Sequence, residues 1–312
     1  QLYSTDASIY KVRPEYVIFP FNRGDVETLH RWSLEHSVTL IPRGGGTSLS
    51  GQSIGTGAVV DYSRHLDGIL EWNPEERSVR VQPGVVLETL NEYLESDGFQ
   101  FGPDVATANR ATIGGMIGNN SAGAHSIRHG PTSGHVRSLT CVLPNGETAV
   151  FEPLTLEEAQ QRASRSNLEG RLYRRIPDLV RDKSKQIRDR FPEIMRNVSG
   201  YGVDRFLKKL DEGIVDFTEL ICGSEGTLAA VVEAELDVVP AVESTALLVL
   251  ECESLDEAVR ANRLAIDRDP LAVELLDDML LELAGDSLEF ARYLDWMEGD
   301  PEAVLIRARS IA

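Results

Sequence analysis

Residues 43–52, R-G-G-G-T-S-L-S-G-Q, have the composition of a loop that binds phosphate. Glycines at 44–46 allow positive φ angles and let backbone N–H groups approach an anion without Cβ atoms in the way. The loop follows residues 38–42, an apolar β-branched run typical of a buried strand that stops at a proline. A strand that leads into such a loop favours a phosphate site over an elaborate turn.

Two common phosphate-binding motifs do not fit this loop. A dinucleotide fingerprint needs glycine at its first, third and sixth places, and Leu49 takes the sixth place counted from Gly44. A P-loop needs lysine where Gln52 stands, so an ATPase, a kinase or another nucleoside-triphosphate binder is disfavoured. No amphipathic helix follows the loop, and we therefore expect loop amides, rather than a helix dipole, to bind the anion.

Two more glycine-rich segments occur further along the chain, at residues 114–123 and 222–228. The first comes after residues 101–104, F-G-P-D, which indicate a rigid turn, and the second is a tight turn that leads into a strand. Either segment alone is explained by small residues that pack a helix against a sheet, or by a structural turn. Two glycine clusters, each close behind an extended segment, favour one elongated ligand such as a dinucleotide.

The three segments together resemble the PCMH-type flavin-binding domain of the vanillyl-alcohol-oxidase superfamily. The likeness is greatest to its FAD-linked D-2-hydroxyacid dehydrogenase branch, which includes D-lactate dehydrogenase, the glycolate oxidase D subunit and D-2-hydroxyglutarate dehydrogenase. The motif P-R-G-G-G-T-S-x-x-G is matched by residues 42–51, T-I-G-G by 112–115, G-S-E-G-T-L by 223–228 and G-Y by 200–201. Asn119, Ser121 and Gly123 continue the second motif, and the resemblance covers about residues 13–312.

The resemblance implies an FAD site in which amides of residues 43–48 bind the pyrophosphate and residues 112–123 line the flavin. Some relatives attach FAD through a histidine at the place of Thr47, so we expect non-covalent FAD here. His129 stands where many relatives have tyrosine, and Ala229 where glycine is usual. The residues implied to contact the cofactor are Pro42, Arg43, Gly44, Gly45, Gly46, Thr47, Ser48, Gly51, Gln52, Pro103, Asp104, Thr112, Ile113, Gly114, Gly115, Asn119, Ser121, Gly123, His129, Gly130, Val136, Glu225 and Gly226.

The implied fold is α+β: a PCMH-type FAD-binding domain of two α+β subdomains over residues 1–240, then the start of an α+β, ferredoxin-like cap domain over 241–312. Residues 155–195 read as a helical insertion whose mixed charge faces solvent. Hydrophobic periodicity predicts helices over 25–36, 86–94, 255–267 and from 277. It predicts strands at 38–41, 58–61, 79–82, 217–222, 228–239, 245–252 and 271–276. Residues 136–143 and 148–151 are expected to form a hairpin.

Composition narrows the classes of partner and compartment. A formal net charge of −19 argues against a nucleic-acid partner. Three scattered cysteines predict no disulfide, zinc or iron–sulfur site in this region and fit a reducing compartment. No apolar run approaches the roughly 18 residues of a membrane span, and we expect a cytoplasmic protein or one bound to the inner-membrane surface. Both ends of the sequence have the character of internal positions. We therefore expect this chain to be part of a longer protein, in which any iron–sulfur domain would lie in the C-terminal region.

For function, the resemblance implies hydride transfer from a D-2-hydroxy acid to flavin N5, with an iron–sulfur domain, a quinone or an electron-transfer protein as acceptor. The sequence identifies no catalytic residue. His125 and His129 flank the second glycine segment, and Arg128 is a candidate for substrate carboxylate or phosphate, or for a surface salt bridge. In the family, the catalytic and metal-binding histidines come from later in the cap domain. Two alternatives stay open: an FAD-binding electron-transfer module, and a relative with different chemistry, of the reductase or ether-lipid synthase type.

Overall fold

The computed structural model describes residues 1–194, 196–242, 244–287, 290–294 and 303–310 of the 312-residue chain. Within that part the chain divides into two compact units. The first contains residues 1–122 and 131–240, and the second contains residues 123–130 together with those described after Pro240. The sequence patterns also change character at Pro240, but they do not predict that residues 123–130 leave the first unit.

The helices and strands are numbered in chain order. The first half of the chain contains β1 (Tyr16–Ile18), α1 (Arg23–His36), β2 (Leu40–Arg43), β3 (Ala58–Asp61), β4 (Ile69–Asn73), β5 (Ser78–Val81), α2 (Leu87–Glu95), β6 (Phe99–Gln100), α3 (Ile113–Asn119), α4 (Ser126–His129), β7 (Val136–Val142), β8 (Thr148–Phe151) and β9 (Leu154–Thr155). The second half contains α5 (Leu156–Ala163), α6 (Leu168–Asp182), α7 (Ser184–Arg190), α8 (Val203–Asp211), β10 (Ile214–Val215), α9 (Thr218–Ile221), β11 (Ala230–Asp237), β12 (Val239–Pro240), β13 (Thr245–Cys252), α10 (Leu255–Ile266), β14 (Ala272–Asp277), α11 (Asp278–Gly285) and β15 (Ala303–Ser310).

A small parallel sheet in the order β1-β3-β2 carries the first glycine loop at the carboxyl end of β2. Its central strand, β3, is buried along its whole length, as expected for a parallel strand covered on both faces. Helix α1 packs Val26 and Leu29 into the same apolar cluster as Val60 of β3. The sheet therefore fixes the position from which the loop departs.

A five-stranded antiparallel sheet in the order β4-β5-β11-β7-β8 forms the larger layer of the first unit. Its central strand β11 alternates buried and half-buried residues, so one face points into the core. The β7–β8 hairpin is the predicted one, and its turn is closed by a 2.8 Å bond from Leu143 N–H to the Glu147 carbonyl. The main hydrophobic core lies on this sheet and also takes in α2, α3 and the helices between residues 156 and 221.

The charged region over residues 155–195 is mostly helical, as predicted, with Met195 outside the described residues. The expectation that its charges face solvent is wrong at Glu169, which is only 3% exposed. Arg162 and Arg165 hold this carboxylate at 2.8 and 2.6 Å. Burial with two cationic partners is how a charge is tolerated inside a protein, so α6 packs on the core instead of lying over the surface.

Two of the elements that differ from the sequence prediction have a clear physical reason. Residues 217–222 were expected as a strand, and the structure has helix α9 there instead. The Asp216 carboxylate accepts bonds from the Thr218 N–H (3.0 Å) and hydroxyl (2.6 Å), which forms a turn just before the helix despite the β-branched residues. The second difference is α3, a helix within a glycine-rich stretch that has weak helix propensity. It is stabilised by burial of Ile113, Met116 and Ile117.

The described part of the second unit is a β-α-β-α-β arrangement with the strand order β13-β15-β14. Both β13 and β14 run antiparallel to β15, so they are parallel to each other with β15 between them, as in a split β-α-β motif. The strands and helices predicted after Pro240 are present within one or two residues. Residues 311 and 312 lie outside the described residues.

Candidate cofactor site

A cavity of about 460 Å³ in the first unit is lined by all three glycine-rich segments. Cavities of roughly 300–1,000 Å³ are typical of small-molecule sites. The lining residues are Pro42, Arg43, Gly44, Gly45, Gly46, Thr47, Ser48, Leu49, Gln52, Ser53, Tyr62, Pro83, Val105, Ala106, Thr107, Ala111, Thr112, Gly114, Gly115, Met116, Ile117, Gly118, Asn119, Ser121, Ala122, Ile221, Ser224, Glu225, Gly226, Ala229, Ala230 and Val231.

The first loop contributes the one arginine of this lining. Arg43 Nη1 donates to the carbonyls of Thr5 (2.9 Å) and Ser53 (3.4 Å), and the guanidinium lies 5.2 Å from the centre of the Tyr3 ring. Within the described ranges no carboxylate pairs with Arg43. Its charge is therefore held in place by neutral groups and is available to an anion in the cavity.

The second segment reaches the cavity through the start of α3. Thr112 is buried, and its Oγ1 accepts a 3.3 Å bond from the Gly115 N–H, so it caps the helix. The same hydroxyl fills the space beside Gly44, where an added Cβ would collide with it. Only glycine at position 44 lets the first loop lie against the cap of α3.

The third segment is a turn that is bonded to the other end of α3. Gly223 N–H donates to the Ile117 carbonyl (2.9 Å), and Glu225 N–H donates to the Gly118 carbonyl (2.8 Å). Gly226 has φ +73, and a Cβ there would overlap Pro42 at the base of the first loop. The three segments thus contact one another directly, and the turn holds α3 and the first loop at a fixed spacing.

A side-chain bond joins the first two segments as well. Asn119 Nδ2, at the end of α3, donates to Ser48 Oγ at 2.9 Å. This bond is part-buried and spans 71 positions of sequence. Two loops that are distant in the chain are therefore fixed to each other before any ligand binds.

Polar atoms in the cavity wall lack partners from the protein. Ser224 is 2% exposed, and neither its hydroxyl nor Gln52 Oε1 has a hydrogen-bond partner among the described residues. Burial, with a smaller contribution from Cys141, raises the pKa of the Tyr62 phenol far above its ordinary value, so that side chain stays a neutral donor. Buried polar atoms without partners are costly and rare, which indicates that a ligand supplies the missing bonds.

This wall fits FAD in its donor set and its shape. The N–H groups of the glycines and the Arg43 guanidinium can donate hydrogen bonds to a pyrophosphate. The unpartnered oxygens of Ser224 and Gln52 can bond to polar atoms of a ring or a sugar. Apolar side chains of Met116, Ile117 and Val231 offer flat contacts for an aromatic ring system. The described residues therefore meet the requirements of a dinucleotide ligand better than those of a single phosphate ion.

Most of the residues implied by the resemblance lie together in this lining. Of those that do not, Gly51, Pro103, Asp104, Ile113 and Val136 belong to the first unit, and Gly123, His129 and Gly130 belong to the second. Ile113 points into the hydrophobic core and Val136 pairs with Leu236 in the large sheet. A direct FAD contact from each of these eight residues stays a prediction.

Sequence reasoning did not identify several lining residues. The most informative are Ser53, Tyr62 and Ser224, together with the aliphatic wall at Val231. Tyr62 follows β3 directly, and the apolar run ending at Asp61 could have indicated a side chain at that strand end. Ser224 lies inside the third motif but was read only as part of a turn.

The histidine and arginine candidates after the second segment lie in the second unit. His125 precedes the four-residue helix α4, which ends at His129. Arg128 forms the surface salt bridge that was one of its two expected roles, with Asp269 at 3.4 Å. In the part of the chain that the structure describes, no group of three or more metal-binding side chains occurs, and none of the helices has the length and apolarity needed to cross a membrane.

Comparisons with known proteins agree with this site. Residues 14–152 match the family model described as FAD binding domain. The D-2-hydroxyglutarate dehydrogenases of Pantoea ananatis and Escherichia coli are 39% and 37% identical over 91% of this chain, which spans 28% of their length. The glycolate oxidase subunit GlcD of Bacillus subtilis is 30% identical over 91% of this chain and 50% of its own length.

A solved structure of alkyldihydroxyacetonephosphate synthase aligns with a TM-score of 0.62 over 94% of this chain and 46% of that protein. Identity over this alignment is 17%, so the likeness concerns the fold. The fold, the family model and the relatives point to the same group of flavoproteins. Residues 14–152 therefore form an FAD-binding domain, and the chain as a whole is similar to D-2-hydroxyglutarate dehydrogenases and to the glycolate oxidase subunit GlcD.

Proposed function

We propose that the cavity binds FAD non-covalently and that the protein uses it to oxidise a D-2-hydroxy acid. The observation that carries this proposal is that three glycine-rich segments, at residues 43–52, 114–123 and 222–228, meet around one cavity. An elongated ligand with a central pyrophosphate accounts for all three segments at once, whereas a simple anion would need only one.

The chain's own residues would hold the cofactor as follows. The Arg43 side chain and the amides of residues 43–48 would face the pyrophosphate. Ser224, Gln52 and Tyr62 would bond to polar atoms of the cofactor's ring or sugar. The lining contains no histidine or cysteine, and Thr47 stands at the position where some relatives carry the covalent link. Non-covalent attachment is the arrangement these side chains support.

Bound FAD supplies hydride acceptance from the carbon that carries the substrate hydroxyl. The described part of the chain orients that cofactor and excludes water from the cavity, because its walls combine close backbone contacts with apolar side chains. The base that takes the hydroxyl proton and the cation that binds the substrate carboxylate are not assigned to any residue here.

Four relatives named D-2-hydroxyglutarate dehydrogenase match at 35–39% identity and another, of Stutzerimonas stutzeri, at 27%, compared with 30% for the glycolate oxidase subunit and 28% for a D-lactate dehydrogenase of Kluyveromyces lactis. The four matches at 35–39% favour a dicarboxylic hydroxy acid as the substrate, with lactate and glycolate as the other members of the class. For the electrons we propose an iron–sulfur domain, a quinone or an electron-transfer protein as the acceptor.

The test is to purify the full-length protein, record its visible spectrum and add 2-hydroxy acids without oxygen. We expect flavin absorbance that is bleached by D-2-hydroxyglutarate and not by its L enantiomer, with D-lactate and glycolate as comparisons. A protein without flavin absorbance would contradict the cofactor. Flavin that no hydroxy acid bleaches would favour an electron-transfer module, or a relative with reductase or ether-lipid synthase chemistry.

A further inference from the structure

We propose that residues 3–12, here termed the N-terminal segment, are a positioning element that holds the first glycine loop in the shape that binds FAD. This inference rests on the proposed cofactor. It concerns residues that lie outside the cavity lining and ahead of the matched family region, which begins at residue 14. The segment acts on the cofactor only through the loop it contacts.

The first contact is between backbones. Ala7 N–H donates to the Gly46 carbonyl at 3.0 Å, and the Thr5 carbonyl accepts from Arg43 Nη1 at 2.9 Å. Gly46 has φ +66. Without bonds to the N-terminal segment, a glycine triplet would sample many other conformations besides this one. Bonds on both sides of the triplet select this conformation and aim the Arg43 guanidinium at the same time.

The second contact is a carboxylate bridge. Asp6 Oδ2 accepts from the Ser53 hydroxyl at 3.0 Å, and Oδ1 accepts from Ser8 N–H at 2.9 Å. Burial alone would raise the pKa of Asp6, but the bonds from Ser8 and Ser53 outweigh it and lower the pKa below its ordinary value. The carboxylate therefore stays charged at neutral pH and links the segment to the far end of the loop.

The third contact lies under the arginine. The Tyr3 ring packs against the Arg43 guanidinium, and the Tyr3 hydroxyl donates to Asp61 Oδ2 at 2.7 Å, at the end of β3. Burial, together with this bond to Asp61, raises the pKa of Tyr3 to about 12, so the phenol keeps its proton. Tyr3 thereby connects the arginine to the strand that follows the loop.

Polar contacts, rather than apolar burial, hold the segment in place. It is closed on itself by a bridge between Thr5 and Lys11 and by a 2.9 Å bond from Val12 N–H to the Ser4 carbonyl. Ile9, an apolar side chain within it, is 93% exposed. Because its bonds go to the loop, order in the segment and order in the loop are coupled, and a preformed loop binds its ligand with less loss of conformational entropy.

The experiment measures the rate of FAD release from the full-length flavoprotein, followed by the rise in fluorescence of free FAD. Asp6→Ala removes the bridge to Ser53, and Asp6→Asn keeps an oxygen acceptor and an amide that can bond to the same hydroxyl. Asp67→Ala, at an exposed aspartate in the same unit, is the control for loss of one negative charge. Hydrogen exchange of residues 44–53 is measured in parallel on the apoprotein.

We expect Asp6→Ala to release FAD about fivefold to tenfold faster, the effect of losing the hydrogen bond to the Ser53 hydroxyl. Exchange in the loop should rise in this variant, while Asp6→Asn and Asp67→Ala should stay close to the parent in both measurements. Faster exchange in the loop without faster FAD release would overturn the proposal. So would equal release rates for the alanine and asparagine variants. A parent protein that never binds FAD would instead contradict the proposed function.

Discussion

At the scale of single residues, the cavity wall carries oxygens that the protein leaves without partners. In a buried site an unpartnered hydroxyl costs free energy in the absence of ligand and gains a bond when ligand arrives. Ser224 is the clearest example because almost none of its surface is exposed and its Oγ has no partner in the described ranges. Removal of the Ser224 hydroxyl should therefore not lower the stability of the apoprotein, but it should lower the affinity for the ligand.

We expect Ser224→Ala to leave the unfolding free energy of the apoprotein unchanged or higher, and to weaken FAD binding about threefold to tenfold. Denaturant unfolding and FAD titration of the apoprotein measure the two effects. Ser133→Ala, at a buried serine outside the cavity lining, is the matched control and should leave FAD affinity unchanged. If Ser224→Ala destabilises the apoprotein while affinity is retained, the hydroxyl is a structural group and not a ligand contact.

Two glycines offer a comparison between backbone strain and steric overlap. Gly226 and Gly213 both have positive φ, +73 and +83, so alanine costs each about 1 kcal/mol of conformational energy. Only at Gly226 does the new Cβ meet another segment, at Pro42, whereas nothing lies within 4 Å at Gly213. The difference between the two alanine variants isolates the contact between the third turn and the first loop.

We expect Gly226→Ala to be about 1–3 kcal/mol less stable than Gly213→Ala, the usual cost of overpacking a rigid contact. It should also lose FAD affinity, because relief of the overlap moves the first loop. Chemical denaturation and FAD titration measure these outcomes. Equal stabilities and equal affinities for the two variants would show that the turn and the loop are not held together as described.

Single residues also show where sequence reasoning reaches its limit. The glycines of the three segments were identified because each motif is local and its spacing is informative. Tyr62 and the aliphatic wall at Val231 were not, because they reach the cavity from strand ends whose positions depend on sheet pairing, and Ser53 lies in a turn that no motif marks. The Asp6–Ser53 bond spans 47 positions, and no local pattern indicates it.

At the scale of elements, burial decides where local preference is ambiguous. The predicted strands and helices with clear periodicity, such as β13 and α10, are present. Helix α3 was missed because its glycines disfavour a helix and its stability comes from three buried side chains. Residues 217–222 were predicted as a strand because their apolar and β-branched composition suits one, but the turn at Asp216 and burial of Leu220 and Ile221 favour a helix.

Element packing also yields a prediction for the helical region over residues 155–195. Glu169 anchors α6 to Arg162 and Arg165, and its neutral replacement leaves Arg165 without a carboxylate partner and Arg162 with Glu152 alone. We expect Glu169→Gln to lower the unfolding free energy by about 2–3 kcal/mol, less than for a fully buried pair because both arginines are partly exposed. Urea unfolding measures this loss.

The control for that variant is Glu157→Gln, at an exposed glutamate on α5, which should change stability by less than about 0.5 kcal/mol. Equal effects at the two positions would mean that the buried carboxylate does not hold the helix. FAD affinity should be unchanged in both variants, because neither residue lines the cavity. A loss of FAD binding in Glu169→Gln with stability intact would contradict this separation of roles.

At the scale of the whole molecule, the α+β fold and the FAD-binding domain were predicted from motifs, and the comparisons confirm both. The discontinuity of the second unit was not predicted, because residues 123–130 look like a continuation of the second glycine segment. A glycine-rich segment shows where backbone can approach a ligand, but its composition does not reveal which unit its last residues join.

The way FAD is held is a property of the whole molecule that a simple treatment tests. The cavity lining contains no histidine or cysteine, and threonine stands at position 47. We therefore expect acid precipitation to release all the FAD into the supernatant. Absorbance at visible wavelengths, read separately for supernatant and pellet, measures the partition. Yellow colour that stays with washed, denatured protein would contradict non-covalent binding.

Pro42 has a consequence beyond its place before the first loop. The Thr39 and Arg43 carbonyls accept bonds from Ala58 and Tyr62 N–H groups, so alternate residues of β2 face β3, and Pro42 faces the open side of the sheet. Proline has no N–H, and at this position it costs the sheet no hydrogen bond. Because Gly226 of the third turn packs against the proline ring, that turn covers a position where the strand has no N–H to leave unpaired.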